Sequence, residues 1–136
     1  MRYSKKENTI VMRLFKGEEL IESVKEVCIR EKVSSGTLQA IGAVQKAILG
    51  YFDMERKHYL QVECRGEVVS CMGNIAEKDG DLVVHLHAVI GDKDGNCKGG
   101  HVFSAEASAT LEIFIANVPG LSRALDEDTG LFLLDL

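Results

Sequence analysis

The stretch DLVVHLHAVIG, residues 81–91, decides the fold. Side chains of a β-strand alternate between its two faces, so this stretch, read as extended chain, has one continuously apolar face. That face carries Leu82, Val84, Leu86, Ala88 and Ile90, and the other carries Val83, His85, His87 and Val89. A wholly apolar face has to be buried, and the sequence therefore predicts a core strand with two histidines on its far side.

Turn signals flank this strand on both sides. The tetrapeptide KDGD, residues 78–81, opens it, and KDGN, residues 93–96, follows it. An Asp-Gly pair between two extended runs is typical of a tight hairpin, because both residues tolerate the positive φ angles that such turns require. The sequence therefore predicts neighbouring antiparallel strands at 67–77, 81–91 and 97–103.

One helix and further strands are predicted around this centre. Apolar residues recur at helical spacing from Leu20 to Cys28, which indicates an amphipathic helix over about 18–32 with Cys28 on its core face. Further strands are predicted at 9–15, 36–52 (two strands, kinked or turned at Gly42), 58–64, 109–116 and 131–136, with a short helical turn at 121–125. This order is typical of an α+β fold with a mainly antiparallel sheet and one long amphipathic helix near the N-terminus.

Size and composition favour one globular domain over residues 1–136. The chain is 46% hydrophobic and 27% charged, and its net charge of −5 repels nucleic acid phosphates at long range. No apolar run approaches the ~20 residues of a membrane helix, and the first ten residues contain no apolar core of a secretory signal. We therefore expect a cytoplasmic protein with no membrane contact, in which Cys28, Cys64, Cys71 and Cys97 are reduced thiols.

Three of the four histidines fall on the predicted hairpin. His85 and His87 share a strand face, with Cα atoms roughly 6.5–7 Å apart, and the turn at Asp94-Gly95 returns His101 opposite them. Three neutral imidazoles with a fourth position left open suit Zn²⁺ and other divalent metals of similar softness. The alternative is that the histidines are surface or interface residues. The sequence predicts a metal site at His85, His87 and His101.

Several residues are candidates for completing such a site. Cys97 and Glu106 could each supply a fourth ligand, although a turn thiol and a solvated acid are the simpler interpretations. Glu106 and Arg65 are also candidates for a catalytic group beside the metal. The run from Asp92 to Asn96 superficially resembles a calcium loop, but its glycine comes too early and no acid closes the loop at the required position.

Three segments resemble the plants-and-prokaryotes-conserved (PPC) domain, also known as domain of unknown function 296. These are LHAVIGDKDGNCKGGHV at 86–102, RGEVVSCMG at 65–73 and RALDEDTGL at 123–131. Their order is that of the family, and the resemblance extends over nearly the whole chain. The resemblance implies an α+β fold with a mainly antiparallel sheet, a homotrimer, and in some prokaryotic members zinc or DNA binding. The fold is also similar to that of acetolactate decarboxylases, which hold zinc with a His-x-His pair and a later histidine.

Three functions follow as alternatives. The first is a metal-binding homotrimer, with zinc as the expected ion, that senses or transforms a small molecule. The second is a DNA-associated regulatory protein, which the family description implies and the acidic charge disfavours. The third is a scaffold for protein–protein interaction, which trimerisation implies. Whether the chain is an enzyme is left open by the sequence.

Overall fold

Eight strands and one helix make up the computed structural model, which describes residues 1–136. They are β1 (Arg2–Lys6), β2 (Thr9–Phe15), α1 (Leu20–Glu31), β3 (Gly36–Asp53), β4 (His58–Lys78), β5 (Asp81–Gly91), β6 (Cys97–Asn117), β7 (Ser122–Leu125) and β8 (Phe132–Asp135). All strands belong to one sheet with the order β1-β2-β6-β3-β4-β7-β8, and β5 pairs with both β4 and β6. The prediction of an α+β fold with a mainly antiparallel sheet is confirmed.

Strands β3, β4, β5 and β6 form a closed ring of antiparallel pairs. β3 pairs with β4 and β6, and β5 closes the ring between the other edges of β4 and β6. The ring encloses a core of small and branched apolar side chains that includes Val44, Ala47, Leu49, Val102 and Ala105. β5 pairs with β4 along its length and with β6 from His87 to Gly91, so its histidine-bearing face is held by strand pairing on the β4 side at His85 and on both sides at His87.

Helix α1 covers one opening of this core. Glu19 caps its N-terminus by accepting a hydrogen bond from the Glu22 amide at 2.8 Å, and Lys32 ends the helix in the left-handed conformation. Its buried side chains include Val24, Val27 and Cys28, as the periodicity predicts. The helix is 12 residues long, shorter than predicted because the cap lies at Glu19 and Lys32 turns the chain. No helix has both the length and the hydropathy that a membrane crossing requires.

Bulges let single strands run through points where the sequence pattern breaks. β3 is one strand of 18 residues, kinked rather than turned at Gly42, where its register against β4 and β6 shifts. A Cβ at Gly42 would lie 2.2 Å from the carbonyl oxygen of Thr110, so only glycine fits. The separate strands predicted at 58–64 and 67–77 are one strand, β4. Those at 97–103 and 109–116 are likewise one strand, β6.

The two ends of the chain differ from the prediction. Residues 121–125, predicted as a helical turn, contain the strand β7, which meets β4 at a parallel bridge between Glu77 and Ser122. The helical prediction was wrong because β7 is held by long-range pairing with β4 and β8, which no local pattern reveals. At the other end, β1 pairs along its whole length with β2 and forms an edge strand that was not predicted.

Candidate metal centre

Strand β5 places two histidines on the outside of the ring. Val84, Leu86, Ala88 and Ile90 are all buried, as the alternation predicts. On the opposite face His85 is half-buried and His87 is exposed. Each lies beside a residue of β4 in the register: Asn74 is opposite His85, and Met72 is opposite His87. The burial of the apolar face thus fixes the direction in which both imidazoles project.

The turn between β5 and β6 returns the third histidine to the same place. Asp92 organises this turn, because its Oδ1 accepts hydrogen bonds from the backbone amides of Asp94 and Asn96, both at 2.9 Å. Gly95 adopts a φ of 81°, which favours glycine. The resulting register pairs His87 directly with His101. The predicted hairpin and the predicted placement of His101 are both confirmed.

The three imidazoles form one compact cluster. Ring centroids are 5.2 Å apart for His85 and His87, 5.1 Å for His85 and His101, and 5.7 Å for His87 and His101. One nitrogen from each ring lies within 4.8 Å of the other two. Three nitrogens bound at about 2.1 Å to one tetrahedral ion lie about 3.4 Å apart, so the rings would have to close by at most about 1.4 Å to coordinate it.

The protonation state of the cluster suits a cation. Burial, with smaller contributions from the charges of His101, Arg123 and His87, lowers the pKa of His85 to about 4. Burial also lowers the pKa of His101, again assisted by His87 and Arg123. These two rings are therefore neutral near pH 7, which is the form that binds metals.

One ring nitrogen of the cluster has no hydrogen-bond partner. The Nδ1 atom of His101 is buried and has no hydrogen-bond partner. A buried nitrogen without a partner is unusual in a folded protein, and a bound ion or water is one of its common explanations. The orphaned nitrogen and the all-imidazole donor set both fit a divalent metal such as zinc, with the three histidines as the residues that would hold it.

Aromatic side chains from β4 and β6 pack against the ring of His101. Its ring lies 5.1 Å from that of Tyr59 and 4.9 Å from that of Phe103, centroid to centroid. Room for this packing comes from Gly50, which is paired with His101, because a Cβ there would lie 2.5 Å from the ring of Phe103. A cleft of about 270 Å³ opens beside the cluster, lined by Tyr51, Phe52, Tyr59, His87 and His101 together with three glycines.

The predicted additional ligands lie elsewhere. Cys97 is exposed at the start of β6, four positions before His101, which is about 13 Å along a strand. The side chain of Glu106 accepts a hydrogen bond from Gln45. Its backbone forms an isolated antiparallel β-bridge with Glu19, next to the start of helix α1. Neither belongs to the cluster, because both are displaced along β6 from His101. Cys97 pairs with Gly91 at the far end of the β5–β6 ladder, and Glu106 lies beyond the ladder on the other side of His101.

Arg65, the predicted catalytic candidate, is also remote from the cluster. It lies on β4 seven positions before Met72, the residue opposite His87, and its side chain is exposed. The basic residue beside the histidines is Arg123 on β7. Its positive charge lowers the pKa of both His85 and His101. Sequence reasoning missed it because β7 reaches β4 only through long-range pairing. Its place in the RALDEDTGL segment was the one available signal.

Comparison with known proteins identifies relatives along most of the chain. Residues 1–119 match the family model of the Plants and Prokaryotes Conserved (PCC) domain, the family whose motifs the sequence resembles. A bifunctional protein GlmU from a Synechococcus species is 31% identical over 123 residues. That match covers 88% of this chain and 18% of the relative, so the chain spans less than a fifth of the length of this curated protein.

Solved structures share the whole fold. The metal-containing protein AF0104 from Archaeoglobus fulgidus is 37% identical with a TM-score of 0.86, and the match covers 97% of this chain and 94% of that one. A candidate DNA-binding protein from Bacteroides thetaiotaomicron is 26% identical with a TM-score of 0.93, covering 98% and 96%.

An acetolactate decarboxylase from Bacillus subtilis subspecies spizizenii shares the fold alone. It is 16% identical with a TM-score of 0.50 and covers 79% of this chain and 52% of the decarboxylase. The predicted similarity of fold to acetolactate decarboxylases is thereby confirmed, and nothing about activity follows from it.

Proposed function

Because this chain belongs to the Plants and Prokaryotes Conserved (PCC) domain family, we propose that it is a metal-binding member that holds zinc at His85, His87 and His101. The observation that carries the proposal is the meeting of three imidazole nitrogens within 4.8 Å on the paired strands β5 and β6. The description of the Archaeoglobus fulgidus relative as metal-containing supports it.

Three protein ligands leave one position of a tetrahedral zinc ion for water or an exogenous ligand. Structural zinc sites are usually closed by four protein ligands, whereas zinc sites that bind or transform small molecules keep one position open. The cleft beside His87 and His101 gives a small molecule access to that position. We therefore assign the site to small-molecule sensing or catalysis in a cytoplasmic protein. The four free cysteines suit such a reducing compartment.

The test is the metal content of the purified protein. Protein prepared without a histidine tag and dialysed against buffer containing zinc should retain about one zinc per chain, measured by elemental analysis. If the protein retains none of the metals zinc, manganese, nickel and iron, the proposal is contradicted and the scaffold alternative remains. In that case the histidines would be packing or interface residues.

A homotrimer is the proposed assembly, and an exposed apolar patch supports it. Ile41, Val69, Met72 and Phe114 line one shallow cleft on the outer face of the sheet, each with more than half of its side chain exposed. Exposed apolar clusters of this kind mark interaction surfaces in soluble proteins. Met72 also lies opposite His87, so a second copy seated on the patch would border the histidine cluster.

We predict a trimeric mass for the wild-type protein at micromolar concentration, measured by light scattering after size exclusion. Phe114→Lys should shift the protein towards monomer, because burying an ammonium group in the patch on association is unfavourable. Ile29→Lys is the matched control, since Ile29 is 70% exposed on helix α1, away from the patch. A monomeric wild type would contradict the assembly.

DNA binding is the second candidate function, favoured by the description of the Bacteroides thetaiotaomicron relative. The net charge of −5 argues against it, because affinity for DNA rests largely on the neutralisation of phosphates by lysine and arginine. We predict no sequence-selective binding of duplex DNA with a Kd below about 1 μM near physiological salt. Fluorescence anisotropy with labelled duplexes measures this, and tighter selective binding would establish the regulatory function instead.

A further inference from the structure

Strands β3 and β4 extend beyond the other strands of the ring as a two-stranded arm, residues 51–62. The pairing of β3 with β6 ends at Gly50, and the pairing of β4 with β5 begins at Glu67. Within the arm the two strands pair only with each other, with Tyr51 directly opposite Leu60. A two-stranded hairpin on its own is only marginally stable in water, so an arm of this kind gains from having its faces covered.

One face of the arm is packed and the other is bare. Phe52 and Tyr59 project from the packed face, with their ring centroids 5.0 Å apart, and both side chains are half-buried. The bare face continues the core side of β3 past the end of the core. Its side chains are apolar and 70%, 50% and 38% exposed, and they are Tyr51, Leu60 and Val62. A core-type surface thus faces solvent in a single copy of the chain.

The bare face of the arm lies far from the apolar patch of Ile41, Val69, Met72 and Phe114. Ile41 and Tyr51 are ten positions apart on β3, which corresponds to roughly 30 Å of extended chain. They also lie on opposite sides of the strand, because Ile41 projects outward and Tyr51 continues the core side. The two surfaces therefore cannot cover each other within one chain, and a flat surface such as a membrane cannot cover both.

The proposed homotrimer needs two different surfaces of this kind. In a cyclic trimer each contact joins one surface of a copy to a different surface of its neighbour, whereas a contact between identical surfaces produces a dimer. The apolar patch is therefore one half of each contact. The bare face of the arm has the make-up of the other half, with aromatic and aliphatic side chains at its centre and the charged turn at 53–57 on its rim.

We propose that the bare face of the arm of one copy docks on the apolar patch of the next copy, and that three such contacts close the trimer. The proposal rests on the homotrimer of the proposed function and identifies the contact that builds it. Met72 of the patch lies opposite His87 in the register of β4 and β5. Each docked arm therefore borders the histidine cluster of the neighbouring copy.

The test begins with two adjacent arm residues that project from opposite faces. Leu60→Lys puts a charge on the bare face and should convert the trimer to a monomer, because docking would bury the ammonium group. Gln61→Lys is the matched control, since Gln61 is exposed on the opposite face, and it should remain trimeric. Light scattering after size exclusion gives the masses, and circular dichroism confirms the fold. A trimeric Leu60→Lys protein would overturn the role of the arm.

Mixing two monomeric variants tests whether the arm meets the patch. Phe114→Lys keeps an intact arm, and Leu60→Lys keeps an intact patch, so one contact can form between them. We expect an equimolar mixture to reach twice the chain mass as its concentration is raised, while each variant alone stays monomeric. An unchanged mass on mixing would overturn the proposal, and so would a dimer formed by either variant alone, because that dimer would join identical surfaces.

A photoreactive benzoylphenylalanine in place of Tyr51 makes the same test in the assembled trimer. Irradiation should link one chain to another at the apolar patch, and mass spectrometry of the digested product locates the link. Links from position 51 to a different surface of a trimeric protein would overturn the contact while the trimer stands. A monomeric wild type would contradict the proposed assembly itself and this contact with it.

Discussion

His87→Ala should lose most of its bound zinc while keeping its fold. His87 is one of the three ligands proposed here, and two imidazoles cannot hold a divalent ion with comparable affinity, so we expect a loss of at least about a hundredfold. The side chain is exposed on the outer face of β5, whereas the core face is carried by residues such as Leu86 and Ala88. Unfolding free energy in the absence of metal should therefore change by less than about 0.5 kcal/mol.

Competitive titration with a chromophoric chelator measures the affinity, and circular dichroism reports the fold. His58→Ala is the matched control, because His58 is the one histidine outside the cluster and is exposed at the start of β4. It should bind zinc like the wild type. Equal zinc affinity of His87→Ala and His58→Ala would show that the metal, if bound, lies elsewhere.

Gly73→Ala should destabilise the protein by about 3 kcal/mol, the upper part of the range for overpacked interiors. Gly73 lies on β4 opposite Leu86, where the two strands approach closely. A Cβ there would lie 1.9 Å from the carbonyl oxygen of His85 and 2.9 Å from the Cα of Leu86. These are backbone atoms of a paired strand, so the clash can be relieved only by separating β4 from β5. Zinc affinity should fall as well, because His85 moves with its strand.

Urea unfolding followed by circular dichroism measures the change, with zinc removed so that metal binding does not contribute. Gly99→Ala is the control: it lies on neighbouring β6, where a Cβ would meet the carbonyl oxygen of Ala88 at 3.3 Å and the side chain of Val89 at 3.5 Å. We expect its cost to stay below about 1 kcal/mol. Similar costs at both positions would mean that the contact between β4 and β5 at Gly73 is looser than the structure indicates.

The histidine cluster was predictable because its geometry depends on local rules. The alternation of side chains along 81–91 sets the direction of His85 and His87, and the Asp-Gly turn sets the register of His101. The helix was predictable in the same way, from its periodicity. Each of these features needs information from within about twenty residues of the chain.

Features that depend on distant pairing were not predictable. Bulges near Gly42 and Val68 shift the alternation within a strand, so one long strand resembles two short ones in the sequence. Arg123 comes from a strand of four residues that is defined by its partners, and the sequence offered Arg65 and Glu106 instead. A local sequence pattern indicates which face of a strand or helix a side chain lies on. It does not indicate which distant segment of the chain packs beside that side chain.

The hairpin that carries all three histidines has a consequence for folding kinetics. His85 and His101 are separated by 16 positions in the chain, so an unfolded chain can bring its imidazoles together at a small loop-closure cost. Zinc should therefore bind the denatured ensemble appreciably, and it should raise the melting temperature by less than its affinity for the native state implies. The same early contact should act as a folding nucleus, and a refolding rate that increases with zinc concentration would be its signature.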